Sequence, residues 1–214
     1  MQGRPLPDVP ELAVAASDDA ARDDAENAHR LRLVAAMAAL LAARALSTVT
    51  IADIARQARV SKRTFYEHFA DKEACFIACY ETLSDIVLKA TLDATTGDLP
   101  WAKKVRASTR AYLSTLESQP ALTRTLMMDI YAAGPEALRV RRQVQKRFAD
   151  QLRRLVAQGR KDGPPNARLS PAMATAVIGG INELVLVAVE EGRADRLTEL
   201  APTADALLNG VLGS

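Results

Sequence analysis

The sequence predicts an all-α protein in which a small N-terminal helix-turn-helix unit precedes a larger helical domain. Apolar residues recur at spacings of three and four along most of the chain, no segment keeps the alternation of a strand, and proline and glycine breakers cut the chain into helix-length pieces. At 214 residues and 49% hydrophobic content, the chain is long enough to bury a proper core, which excludes disorder of the whole.

Residues 1–25 are rich in Pro, Ala and Asp without periodicity and predict a disordered or frayed extension. From Glu26 to about Ala45, Leu31, Val34, Ala35, Ala38, Leu41 and Ala42 define the face of a first helix. The stretch STVTIADIARQARVSKRTFYEHF then predicts two short helices. Thr50 with Asp53 three residues later forms a capping box, and Ile51, Ile54, Ala55 and Ala58 face inward to about Ala58. After Arg59 and Val60, Ser61 is the natural cap of a third helix through Phe69, with Phe65 and Phe69 one turn apart on its inner side. Asp71 caps the fourth.

Further helices are expected at about 71–95, 101–118, 120–133, 135–161, 170–191 and 196–212. They are punctuated by Gly97, Pro100, Pro120, Gly134, Gly163-Pro164-Pro165, Pro171 and Gly192. The domain reading is 1–25 for the extension, 26–72 for the helix-turn-helix unit and 73–214 for the larger helical domain.

The net charge of +2 implies no strong attraction to a polyanion, but its distribution is uneven. Residues 1–27 hold two basic and seven acidic residues, a net of −5 that leaves +7 on the remainder. Cys75 and Cys79 share a helical face, which argues against a disulfide framework, and no histidine joins them in a zinc set. Core packing is the simpler reading of both. The N-terminus has no positive start followed by an apolar run, so a cytoplasmic location is expected. Ala172 to Val189 is apolar enough to raise a membrane span, yet Asn182 and Glu183 near its middle favour a buried helix and no membrane.

The third helix leaves Lys62, Arg63, Thr64, Tyr66 and His68 outside its aromatic core face. Lys62, Arg63 and Thr64 suit base edges in a major groove. Tyr66, His68, Lys72 and the start of the helix at Thr50 suit phosphates. From charges alone, a merely solvated amphipathic helix is the better reading.

The segment TVTIADIARQARVSKRTFYEHFADKEACF, with the alanine-rich helix before it, resembles the DNA-binding domain of TetR-type transcriptional regulators over residues 27–80. The resemblance is carried by Thr-x-x-x-Ile-Ala, Val-Ser-Lys, Thr-Phe-Tyr and Phe-x-x-Lys-Glu. It implies an N-terminal three-helix DNA-binding domain and a larger C-terminal ligand-binding and dimerisation domain. It further implies that Thr50, Tyr66, His68 and Lys72 hold the DNA backbone, with Ser61, Lys62, Arg63 and Thr64 at or near the groove. Many members carry glycine where this chain has Arg59, so a positive φ there would strain the turn.

The resemblance also implies pairing of two subunits through the last two long helices. Val177, Ile178, Ile181, Leu184, Val185 and Ala188 supply one apolar surface and Leu200, Ala204, Leu207, Leu208 and Val211 another, with Gly179-Gly180 allowing close approach. An intramolecular core would show the same stripes. The implied function is a repressor of a near-palindromic DNA operator, released by a small, apolar effector. That effector is expected among the middle helices, near Trp101, Tyr112, Met127, Met128, Tyr131 and Phe148, with Asn182 and Glu183 orienting a polar group. No cofactor, metal or catalytic residue is expected.

The basic helix over Glu136 to Lys161 reads as amphipathic with a solvated face, since Val140, Val144, Phe148, Leu152 and Leu155 explain its stripe. Two other classes stand beside the regulator: a helical enzyme using Asp129 or Glu183, and a helical adaptor that ignores DNA. The only histidines, His29 and His68, lie far from the C-terminal part, which weakens the enzyme reading.

Overall fold

The computed structural model describes residues 23–158 and 169–212. The extension expected over 1–25 falls almost wholly outside the described residues, as does the Gly163-Pro164-Pro165 connection. The described helices are α1 (Asp23–Ala43), α2 (Ile51–Ala58), α3 (Lys62–His68), α4 (Lys72–Asp93) and α5 (Trp101–Glu117), then α6 (Pro120–Asp129), α7 (Pro135–Gln158), α8 (Pro171–Glu190) and α9 (Ala201–Leu212). Short 3-10 turns occupy Leu46–Thr48 and Leu197–Leu200. The described residues contain no strand, and the fold is all-α.

Two segments differ from the periodicity. The helix expected over 196–212 breaks into a 3-10 turn and α9, because Pro202 has no amide to offer the Thr198 carbonyl four residues back; the Ala201 amide takes that carbonyl instead. The helix expected over 120–133 stops at Asp129 and continues as turns to Gly134, whose φ of 93° ends it.

The described residues cluster into two compact units. One holds those up to Leu83 together with Ala121–Leu138, and the other holds Ser84–Pro120 and those from Arg139 onward. Residues 121–138, which the sequence reading assigns to the larger domain, thus pack with the N-terminal helices.

The first unit is built on Leu33, Met37 and Leu41 of α1, Ile54 of α2, Phe65 of α3 and Phe76 of α4, all fully buried. Cys75 and Cys79 belong to this core. Burial pushes the Cys75 thiol up to about 12 and raises that of Cys79 further, so both stay protonated packing groups at neutral pH. The second unit has its own cluster around Val105, Leu155, Val156, Val177, Ile181, Ala204 and Leu208. The 20-residue α8 is long and apolar enough to cross a membrane by length and composition. Here its Ala174, Val177, Ile181, Val185 and Ala188 are buried within the protein.

Candidate functional site

The helix-turn-helix is set by caps that lie within three residues of what they cap. Thr50 accepts the Asp53 amide at 3.2 Å, and Asp53 in turn receives the Thr50 amide at 3.2 Å and its hydroxyl at 2.8 Å. This reciprocal box fixes the start of α2. The Thr50 hydroxyl, against the opposing effect of desolvation, and then the Thr50 amide and Arg44, 2.7 Å away, hold the Asp53 carboxyl well below the usual carboxylate range. At the start of α3, the Ser61 hydroxyl accepts the Thr64 amide at 3.0 Å.

Between the two helices, Arg59 sits at φ 55°, ψ 45°, in the left-handed region foreseen for the turn. The turn closes through the Val60 amide on the Ala55 carbonyl at 3.0 Å. Arg59 is the sole non-glycine residue with positive φ among the described residues.

With Phe65 and Phe69 buried, α3 turns Lys62, Arg63 and Tyr66 outward, and Tyr66 is 57% exposed. Arg63 touches Glu67 at 3.2 Å on an open surface, where such a pair is worth little and yields readily to a stronger anion. Ser61 is exposed and Thr64 half-buried, their hydroxyls 2.9 Å apart.

Three of the residues assigned to the DNA backbone have other duties. Both Thr50 donors go to Asp53, so a phosphate would have to displace the cap. Lys72 is half-buried, and its ammonium donates to the Leu46 carbonyl at 3.0 Å and the Val49 carbonyl at 3.1 Å. It ties α4 to the loop that leads into α2. His68 is half-buried, edge-on to His29 with ring centroids 6.1 Å apart. Sequence reasoning also missed Asp129, which receives the Leu46 amide at 2.6 Å across 83 residues. Asp129, named as a possible catalytic carboxylate, thereby holds the same loop.

The second unit contains a cavity of about 60 Å³. Its walls are mainly apolar, from Val105, Phe148, Leu152, Leu155, Ile178, Ile181 and Leu208, and none of its lining residues is an acid, lysine, arginine or histidine. Of the residues expected around an effector, Tyr112, Phe148 and Asn182 line it. The Tyr112 hydroxyl donates to Asn182 Oδ1 at 2.5 Å, and its ring meets Phe148 edge-on at 5.7 Å. Trp101 instead packs against the adjoining core cluster. Met127, Met128 and Tyr131 belong to the other unit, with Met128 and Tyr131 on its surface. Glu183 is exposed and does not line the cavity.

Thr91 and Gln151 also line the cavity and were not foreseen. Gln151 donates to Thr91 Oγ1 at 2.8 Å. The two residues are 60 positions apart, and neither has a motif around it.

The residues expected to pair subunits divide by burial. Val177, Ile181, Val185, Ala188, Ala204 and Leu208 are buried by the chain's own neighbours and form no surface for a second copy. Ile178, Leu184, Leu200, Leu207 and Val211 are half-buried. Gly180 lets α9 approach within the same chain, since a Cβ there would lie 3.2 Å from Leu207 Cδ2, whereas Gly179 faces open space. At about 100° per residue, the buried stripe of α8 and an outward row of the exposed Met173, Ala176, Glu183 and Val187 with the half-buried Gly179 occupy opposite sides.

Two short helices joined by a tight turn, one held by buried aromatics with its cations outward, define a helix-turn-helix DNA-binding protein. Residues 33–79 match the family described as bacterial regulatory proteins, tetR family, which places the helix-turn-helix unit among the DNA-binding domains of those transcriptional regulators. The sequence matches no curated protein.

Among solved structures, the fold is similar to the fatty acid degradation regulator FadR from Bacillus halodurans. That match has a TM-score of 0.71 and 18% identity, covering 84% of this chain and 93% of that one. FadR from Bacillus subtilis, solved in complex with stearoyl-CoA, gives a TM-score of 0.71 and 18% identity over 85% of this chain and 98% of its own. GusR from Salmonella enterica gives 0.69 and 17% over 87% and 96%.

Proposed function

We propose that the chain is a homodimeric repressor that binds a near-palindromic operator and is released by a small, mostly apolar effector. The observation that carries the DNA half is α3 itself: Phe65 and Phe69 anchor it from within, leaving Lys62, Arg63 and Tyr66 outward on a rigid support. Lys62, Arg63 and Thr64 read base edges, and Tyr66 takes phosphate. Lys72 and Asp129 hold the loop before α2 in place and so set the pose of α2 and α3. The domains proposed for these roles are 26–72 for DNA and 73–214 for effector and pairing.

Two copies related by a two-fold axis would present their α3 helices to grooves about 34–36 Å apart. The outward row of α8, from Met173 to Val187 and interrupted by Glu183, with Ala206 and Gly210 of α9, supplies a mostly apolar face for that pairing. Such a protein works in the cytoplasm, where its operator is.

The effector site is the cavity lined by Tyr112, Phe148 and Asn182. The Bacillus subtilis relative holds stearoyl-CoA, but a cavity of about 60 Å³ is smaller than the roughly 150 Å³ that accepts benzene, so a compact effector fits this chain better. Release requires that the effector favour an arrangement in which the α3 helices are wrongly spaced, and DNA must then weaken effector binding equally. Residues of α4 belong to both units, which makes it the lever of that coupling. No turnover is assigned, because Asp129 is engaged with Leu46 and Glu183 does not line the cavity.

The test is selection of genomic fragments by the purified protein, then anisotropy titration of the best fragment at two salt concentrations. A near-palindrome should be enriched and its affinity should fall with salt. Lys62→Ala should weaken the preferred site about tenfold or more, and Tyr66→Phe should weaken all sequences alike. Unchanged binding in both variants would remove α3 from the interface and favour an adaptor.

A further inference from the structure

Gln151 lines the cavity and carries a buried polar atom with no partner. Gln151 is only 6% exposed, and its Oε1 is buried without a hydrogen bond, while its amide nitrogen donates to Thr91 Oγ1 at 2.8 Å. The orientation of the amide follows from the hydrogen-bond network. With the Thr91 hydroxyl giving its proton to the Leu88 carbonyl at 2.7 Å, it accepts from Gln151, and the group facing it is the NH2. Rotating the amide would draw the Thr91 proton off the Leu88 carbonyl to meet the Gln151 oxygen.

Two other polar side chains of the lining have partners within the protein. Tyr112 donates to Asn182, and the Thr109 hydroxyl donates to the Val105 carbonyl at 3.1 Å. An unpartnered buried acceptor is costly, and a bound donor recovers that cost. A carboxylate or phosphate would meet no lysine or arginine in the lining and would itself go unpaired.

We propose that Gln151 Oε1 is the recognition point of the cavity, and that its ligand is a compact, neutral, mostly apolar molecule bearing one hydroxyl or N–H donor. This deepens the reading of the cavity as the effector site and rests on it. At about 60 Å³ the space must widen for a ring-sized ligand, and Leu152, Leu155 and Leu208 are among the walls that would have to move. The donor class excludes long anionic ligands from the seat itself.

The experiment is calorimetric titration of the full-length protein, without DNA, with phenol, toluene and benzoate, on the wild type and on Gln151→Leu. Phenol should bind about tenfold more tightly than toluene, and benzoate should not compete. In Gln151→Leu that preference should collapse to near unity while toluene binding persists. Gln151→Met replaces the leucine variant if circular dichroism shows that leucine disturbs the fold.

Equal affinities for phenol and toluene, or a preference that survives both substitutions, would overturn the proposal. Binding of neither probe would overturn it too, with a water on Gln151 Oε1 as the alternative occupant. Operator affinity measured separately keeps the two readings apart. Phenol bound through Gln151 with no effect on operator affinity supports the chemistry and removes the regulatory role. An operator that responds to another ligand equally in wild type and Gln151→Leu keeps the role and overturns the chemistry.

Discussion

The caps that set the helix-turn-helix find partners three or four residues away, whereas three side-chain pairs that tie the helices of the cavity unit together reach across sixty or more. Thr50 with Asp53, Ser61 with Thr64, Asp71 with the Ala74 amide and Arg63 with Glu67 are the local set. Tyr112 with Asn182, Gln151 with Thr91 and the Glu117 carboxylate on the Thr198 amide at 2.6 Å are the distant one. The first kind stabilises a short helix before any tertiary contact exists. The second forms only once the bundle closes, and its members are what a ligand in the cavity meets.

Two contacts in the first unit break this division, and both converge on the loop at 46–49. Asp129 accepts from Leu46, and Lys72 donates to Leu46 and Val49. Removing the more remote one is the sharpest challenge to a purely local account. Asp129→Ala should cost about 2 kcal/mol in urea denaturation, since it orphans the amide of a buried residue and removes a charged acceptor. Asp129→Asn, which keeps an oxygen, should recover about half. A change near zero in both would make the helix-turn-helix self-sufficient. Operator affinity should fall along with stability if the loop sets the pose of α2 and α3.

The local caps come next in size. Thr50→Ala should cost about 1 kcal/mol, as loss of an N-cap usually does. The Asp53 carboxyl titrates below its ordinary range in the folded chain. Its stability contribution is therefore present above the unfolded carboxylate pKa, near 4, and is lost as pH falls through the depressed folded value. Asp53→Asn should flatten the acid limb of a stability profile between neutral pH and about pH 2. An unchanged acid limb would mean that Asp53 keeps its interactions in the unfolded chain.

This contrast also explains what could be read in advance. The boundaries of α2 and α3, the two caps and the inward pair Phe65 and Phe69 all follow from spacings of three and four, so the sequence shows them directly. The partners of Lys72, Asp129 and Gln151 lie at separations from 23 to 83 residues and leave no local signature. The stripes of α8 misled for a related reason. An apolar residue at helical spacing reports burial but not which molecule provides it, and Val177, Ile181 and Val185 proved to be covered by their own chain. The helix is apolar on its other side too, so periodicity alone could not choose the exposed row.

The smallest expected effect is also the one of opposite sign. Arg59 is held at φ 55° by a turn whose Val60 amide must reach Ala55, and a side chain in that region costs about 1 kcal/mol relative to glycine. Arg59→Gly relieves the strain but gives the unfolded chain more freedom, so the net gain should be a few tenths of a kcal/mol to about 1. Thermal denaturation of this variant beside Thr50→Ala compares a strained turn with a good cap in the same motif. If Arg59→Gly lowers stability, the exposed guanidinium contributes more than the backbone strain costs. Operator affinity then decides what the arginine is for: weaker binding to all sequences with a shallower salt dependence would place a cation at the turn on phosphate, while unchanged binding would leave the turn a tolerated local strain.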